Sequence, residues 1–337
     1  KEVRGCLTCD ETSCFRHQPH LAAMAEGAST HAALLEGLTP ELAAYLAQRG
    51  PNEPPMQVVL PQAVTAGQRL QVAAQRLPAS YQAVSPSIWG TLAAVRRALW
   101  LRWNSQTPGK RQASMVQAQA WQASLAVRLL RVTDTAVLVD QAYLPRLWQA
   151  GALAGRRFAV WMPAMPMQGI VQQLDQAAAQ WPDEPSLADF RPSDAMQAAE
   201  QQALAAAERM VTPHPGAAEW ARAQVRVPVD MAAWQMPAAQ KRERNVPHAT
   251  PPMVVMLCSA LPRKGSRELA AALQQLRAQG LPCRVAVLGS LPGAAADVHW
   301  QGIERTSMRY GADWPAEAAV AVLPAHVEHS PRAALLA

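Results

Sequence analysis

From Met56 onward the chain alternates short β-rich apolar runs with longer Ala/Gln/Leu/Arg segments whose apolar positions recur at helical spacing. That alternation is the pattern of a parallel sheet covered by helices. Met56–Pro61, Tyr81–Ser85, Thr135–Val139, Phe158–Met162, Arg209–Thr212 and Val225–Val229 read as strands. Between them the spacing predicts helices over Thr65–Arg76, Ile88–Trp103, Gln112–Arg131, Tyr143–Ala150, Met167–Ala179 and Pro192–Glu208. The last contains DAMQAAEQQALAAAER, which is almost entirely strong helix former. Ahead of this, Leu21–Arg49 reads as an Ala/Leu-rich helical stretch. Within it, Thr39-Pro40-Glu41 offers a helix start: a capping hydroxyl, a proline at the first helical position and an early acid.

Periodicity stops around Pro237–Pro252, a charged and then proline-rich segment that reads as an interdomain linker. The alternation then restarts with strand Met253–Cys258, loop Ser259–Gly265, helix Ser266–Gln279 stopped by Gly280, strand Arg284–Gly289, a short strand Val298–Gly302 and strand Ala319–Leu323. The predicted class is α/β, with two Rossmann-like domains facing a cleft. Residues 1–55 form a small Cys/His-containing element with a helix, 56–240 the first domain, 241–252 the linker and 253–337 the second domain. Ligands of open α/β sheets bind beyond the carboxyl ends of the strands, which directs attention to the loops after Cys258, Gly289 and Leu323.

With 50% hydrophobic and 17% charged residues among 337, the chain is too apolar to be a disordered tail and long enough for two domains. No run approaches the roughly 18–20 apolar residues of a membrane-spanning helix. No signal peptide is visible either, so the expected location is cytoplasmic. The formal net charge is +6. Of the basic residues only Lys1, Lys110, Lys241 and Lys264 are lysines, and the arginines are scattered rather than clustered and interleaved with aromatics. This argues against nucleic acid. It suits an anionic small ligand or work beside an anionic membrane surface. Trp100, Trp103, Trp121 and Trp148 sit at helical positions and read as packing against a sheet.

Two loops concentrate chemistry. Ser259-Ala-Leu-Pro-Arg263-Lys264-Gly265 leaves a buried strand and opens a helix, which puts two cations and backbone N–H groups where a diphosphate would sit. The bland alternative is a solvated basic turn in which Gly265 serves geometry alone. Val322-Leu-Pro-Ala-His326-Val-Glu328-His329-Ser330-Pro331-Arg332 follows another strand and gathers an acid, two histidines, a hydroxyl and an arginine. Glu328 would accept hydrogen bonds from ligand hydroxyls and His329 would donate or shuttle a proton. Ser330-Pro331 reads equally as a phosphate contact or as a plain helix start.

In order and spacing, LPRKG, SRELAAALQQLRAQG, RVAVLGSL, VHWQGI and AVAVLPAHVEHSP resemble the donor-binding domain of GT-B glycosyltransferases of the family 4 type. AAERMVTPHPGAAEWAR and VRVPVD are similar to the end of that family's acceptor domain, and the resemblance spans roughly 56–337. It implies a nucleotide-diphosphate sugar donor whose diphosphate Lys264 contacts, with Glu328 near the donor sugar, Ser330 and Pro331 on the turn that faces the donor and Gly289 beside the nucleotide; the residues' own chemistry adds Arg263 and Gly265 to the donor set and His329 to Glu328 as catalytic. The implied reaction is retaining, metal-independent transfer to the hydroxyl of a glycan, lipid-linked or protein acceptor, with peripheral association at the inner face of a membrane. The departures are Cys258-Ser259 in place of the family's Gly-Arg pair, Leu336 where a second glutamate holds the ribose, and Trp161-Met-Pro-Ala-Met where a histidine follows the strand. They leave open a GT-B scaffold that has lost catalysis and serves as a binding or assembly partner. The chain also ends short of the elements that complete this domain in the family, as a truncated sequence would.

Cys6-x2-Cys9-x4-Cys14-x2-His17 lies outside the resemblance. These thiols and the imidazole suit a structural zinc site, three thiolates suit part of an iron–sulfur cluster, and reduced thiols without metal are the alternative. Cys258 and Cys283 flank apolar strands and read as small core residues.

Overall fold

The computed structural model describes residues 30–48, 56–59, 81–84, 99, 108–131, 133–188, 191–235, 251–289, 298–308 and 318–327. The helices predicted over 65–76 and 88–103, bar Leu99, and most of the 241–252 linker fall outside these residues. Contacts divide the chain into two units: Lys1–Gly169 with Phe190–Gln235, and Ile170–Asp189 with Met236–Ala337.

The first unit carries strands β1 (Thr30–Leu34), β2 (Met56–Val59), β3 (Tyr81–Val84), β4 (Asp134–Asp140), β5 (Arg157–Trp161), β6 (Arg209–Thr212) and β7 (Val229–Met231). They form one sheet in the order β3-β2-β1-β4-β5-β6-β7, with every neighbouring pair parallel. Its helices are α1 (Pro40–Ala47), α2 (Pro108–Leu129), α3 (Leu144–Gln149), the start of α4 (Met167–Gln180), α5 (Asp194–Ala206) and α6 (Pro215–Gln224). Chain order reverses between β1 and β4, as in doubly wound nucleotide-binding folds.

Alternate residues of the central strands feed opposite faces. Ala32, Leu34, Val137, Val139, Val160 and Met162 join one apolar core together with α3 and α5, while Ala33, Leu35, Leu138 and Trp161 join another with Leu42 and Leu46 of α1. A sheet covered on both faces therefore reads as near-continuous apolar sequence. Thr39 caps α1, its hydroxyl accepting from the Leu42 N–H at 3.3 Å ahead of the proline at the first turn, as the sequence predicts.

Strand β1 corrects the helical reading of Leu21–Arg49 at residues 30–34, while Pro40–Ala47 is helical as expected. THAAL has the composition of a helix, yet it sits between β2 and β4 with Ala32, Ala33 and Leu34 buried. Pairing on both edges and burial on both faces override a propensity difference of only tenths of a kcal/mol per residue. Val225–Val229 is a second correction. Val225 ends α6, Arg226 takes a left-handed φ of 60°, and β7 begins only at Val229.

The second unit pairs β8 (Met253–Met256), β9 (Arg284–Leu288), β10 (Arg305–Met308) and β11 (Val320–Val322) in the order β10-β9-β8-β11, all parallel. Helix α7 (Ser266–Ala278) covers one face, with Leu269, Ala270 and Leu273 packed on Val254, Met256, Val285 and Val287. The strand predicted at Val298–Gly302 is instead a 3-10 turn at Val298–Trp300, and β10 follows it. Trp300 is buried in the α7 core, and Gly302 turns with φ 73° against the Arg277 guanidinium. This anchor pulls the segment out of extended pairing. Residues 170–189 pack with the second unit, whereas the sequence reading ran the first domain to 240. Two parallel α/β units, each Rossmann-like, make up the fold class that the GT-B resemblance implies. Among the described residues, no helix is long and apolar enough to cross a membrane.

Candidate functional site

Strand β8 lies between β9 and β11, so the order of the second sheet reverses beside it. The loops leaving β8 and β11 therefore flank the position where a parallel sheet ordinarily receives a ligand. Past β8, Leu257 and Cys258 stay buried, and the chain enters a 3-10 turn at Pro262–Lys264. Gly265, at φ 74° and ψ 25°, ends that turn and stands at the N-terminus of α7. A Cβ there would run into the Pro324 carbonyl, so both conformation and space demand glycine.

The loops are joined by hydrogen bonds. Val327 N–H donates to the Arg263 carbonyl at 3.4 Å, and the Lys264 ammonium donates to the Val327 carbonyl at 2.8 Å. On the other side of β8, Gly289 closes β9 at φ 133°, and a Cβ there would lie 2.5 Å from Ser259 Oγ. Arg263, Lys264, Gly265 and Gly289 thus gather at the carboxyl edge of one sheet. The Ser259 hydroxyl lies against Gly289. Glu328, His329, Ser330 and Pro331 follow Val327 in sequence but lie outside the described residues, as do Cys6, Cys9, Cys14 and His17. Among the described residues no group of His, Cys, Asp and Glu is assembled to hold a metal ion.

The loop after β11 has a further anchor that the sequence reading missed. Glu268, in the first turn of α7, accepts through Oε1 from Trp181 Nε1 at 2.5 Å and lies 2.7 Å from His326 Nε2. A carboxylate oxygen only accepts, so His326 carries its proton on Nε2. Val327 is buried with Leu174, Ala177 and Leu187. Arg267 and Glu184 form a largely buried ion pair between the same two segments.

In the first unit, Asp140 ends β4 at the β1/β4 reversal. Its Oδ1 accepts from Ala142 N–H at 3.0 Å and its Oδ2 from Glu36 N–H at 3.3 Å, tying together the turns that leave the two strands. Burial pushes its carboxyl up to about 7; the Ala142 hydrogen bond opposes the shift and the nearby Glu36 carboxylate adds to it. Glu200 of α5 is also pushed up to about 7 by burial, against hydrogen bonds from Met167 N–H and the Gln141 amide. An acid closing an apolar strand, VLVD, is a legible signal for Asp140. Glu200 sits among ordinary helix formers and gives none.

No family model matches the chain, and no curated protein matches it in sequence. Solved structures do. The chain is similar to Phytolacca americana UGT2 complexed with UDP-2fluoro-glucose and pterostilbene, at 13% identity and a TM-score of 0.35, over 83% of this chain and 71% of that one. It is similar to Medicago truncatula UGT71G1 complexed with UDP-glucose, at 9% identity and a TM-score of 0.38, over 79% and 67% of the two chains. It is also similar to Arabidopsis thaliana UGT89C1 complexed with UDP-L-rhamnose, at 10% identity and a TM-score of 0.38, over 83% and 69%.

Proposed function

We propose that this chain is a glycosyltransferase that takes a sugar from a nucleotide-diphosphate donor, bound by the second unit, and passes it to an acceptor hydroxyl with retained configuration and no essential metal. The observation that carries the reading is the seating of Lys264 and Gly265 against Pro324–Val327 where the second sheet reverses. Two cations beside the N-terminus of α7 suit a diphosphate leaving group, whose developing charge is what such a site must stabilise. The reaction needs little covalent chemistry from the protein, so catalysis rests on positioning and charge. In this reading Glu328 and His329 meet the donor sugar, Ser330 and Pro331 face the diphosphate, and Gly289 borders the nucleotide. The acceptor, a glycan, lipid-linked or protein hydroxyl, belongs to the first unit near Asp140, whose carboxyl burial pushes up to about 7.

One observation favours a second reading, a GT-B scaffold that binds a partner without turnover. Ser259 occupies the position of the family's arginine and its hydroxyl is packed on Gly289, so one charged diphosphate contact is missing. Calorimetry with UDP-, GDP- and ADP-sugars separates the readings. Binding of one donor that disappears in Lys264→Ala supports the transferase. No binding by the folded wild-type chain sinks it and leaves the scaffold.

A further inference from the structure

We infer that Glu268 is a positioning residue for the donor diphosphate, acting through His326 and Val327 on Lys264; the inference rests on the donor-site reading above. The chain of contacts is short. Lys264 Nζ is oriented by the Val327 carbonyl at 2.8 Å. That carbonyl belongs to a loop beyond the last paired residue of β11, Val322, so the sheet does not fix it. It is fixed by its neighbours. The Val327 side chain is buried among Leu174, Ala177 and Leu187, and His326, one residue earlier, is held 2.7 Å from Glu268 Oε1.

Glu268 has the type and place of a capping-box acid, an early helical carboxylate that ordinarily turns back to its own N-terminal N–H. Here Gly265 is the capping residue and no side chain caps α7. The carboxylate instead bridges outward to His326 and to Trp181, whose indole meets the His299 ring edge-on at 5.9 Å between centroids. Glu268 Oε2 is buried and has no hydrogen-bond partner among the described residues. Leaving a buried carboxylate oxygen unsatisfied is costly, so this geometry has to be held by its surroundings. Trp181 and the Arg267–Glu184 ion pair supply that hold, joining the first turn of α7 to residues 181–184. Glu268 does not touch the diphosphate seat. It fixes the backbone carbonyl that aims the lysine.

The test uses the full-length chain and calorimetry with UDP, GDP and ADP. Glu268→Ala is expected to weaken the bound diphosphate about tenfold, with thermal unfolding shifted only slightly. Glu268→Gln, which keeps an acceptor at Oε1, is expected to bind within about twofold of wild type. The second readout needs no ligand. Reductive methylation with 13C-formaldehyde labels the few lysines, and the Lys264 signal, assigned by its loss in Lys264→Ala, should move toward an exposed-lysine position in Glu268→Ala and not in Glu268→Gln. If Glu268→Ala fails to fold, His326→Ala removes the same link from the other side. Wild-type binding that is lost in Lys264→Ala but unchanged in Glu268→Ala, or an unmoved Lys264 signal, overturns the inference alone. A wild-type chain that binds no nucleoside diphosphate overturns both this and the donor-site reading.

Discussion

The Lys264 ammonium donates to the Val327 carbonyl across the point where the second sheet reverses its strand order. That bond fixes the direction of an ammonium group, and a charge-assisted contact from a positioned cation is what a diphosphate site requires. Lys264→Ala should weaken nucleotide-sugar binding by at least about tenfold, or roughly 1.4 kcal/mol. Lys264→Arg should restore it only in part, because a planar fork does not reproduce a point charge at the same carbonyl. Equilibrium titration of both variants checks this.

Gly265 and Gly289 give a stability prediction. Gly265→Ala places a Cβ on the Pro324 backbone in a left-handed conformation, and neither partner has a flexible end to move. A loss of about 2–4 kcal/mol in the second unit is expected by urea denaturation. Gly289→Ala meets the Ser259 hydroxyl instead, so adding Ser259→Ala should recover part of the loss, leaving the cost of φ 133°.

Asp140 and Glu200 make stability depend on pH. Their usual values, 3.8 and 4.5, rise to about 7 in the folded chain. Between those limits the folded protein holds protons that the unfolded chain has released, so stability falls as pH rises from about 4 to 7 and levels off above. Each group contributes a slope of up to about 1.4 kcal/mol per pH unit. Asp140→Asn and Glu200→Gln should each flatten the curve in that window. A curve that keeps its wild-type steepness in both variants would refute this assignment, and thermal melts from pH 4 to 8 read it directly.

Much of the fold was legible because both sheets are parallel and covered on both faces. Their strands appear as compact apolar runs, and the helices between them as Ala/Leu/Gln periodicity. What was hidden has physical reasons. Strand β1 is built from residues that favour helix and becomes a strand only through partners on both edges. Trp300 looked like part of a strand but is a side-chain anchor beside the turn at Gly302. At the site, Lys264 and Gly265 are legible as a basic residue and a glycine between a strand and a helix, a pattern that a plain turn shares. Glu268 and Trp181 could not be found that way. Their meeting links residues 87 positions apart, and neither carries a local motif.

The most direct test of the central claim is isothermal titration of UDP-, GDP- and ADP-sugars into the full-length chain, with Lys264→Ala beside it. The account predicts that one nucleotide class binds the wild-type protein and that the variant loses that binding while staying folded. Equal binding by both proteins, or none by a folded wild-type chain, would contradict it.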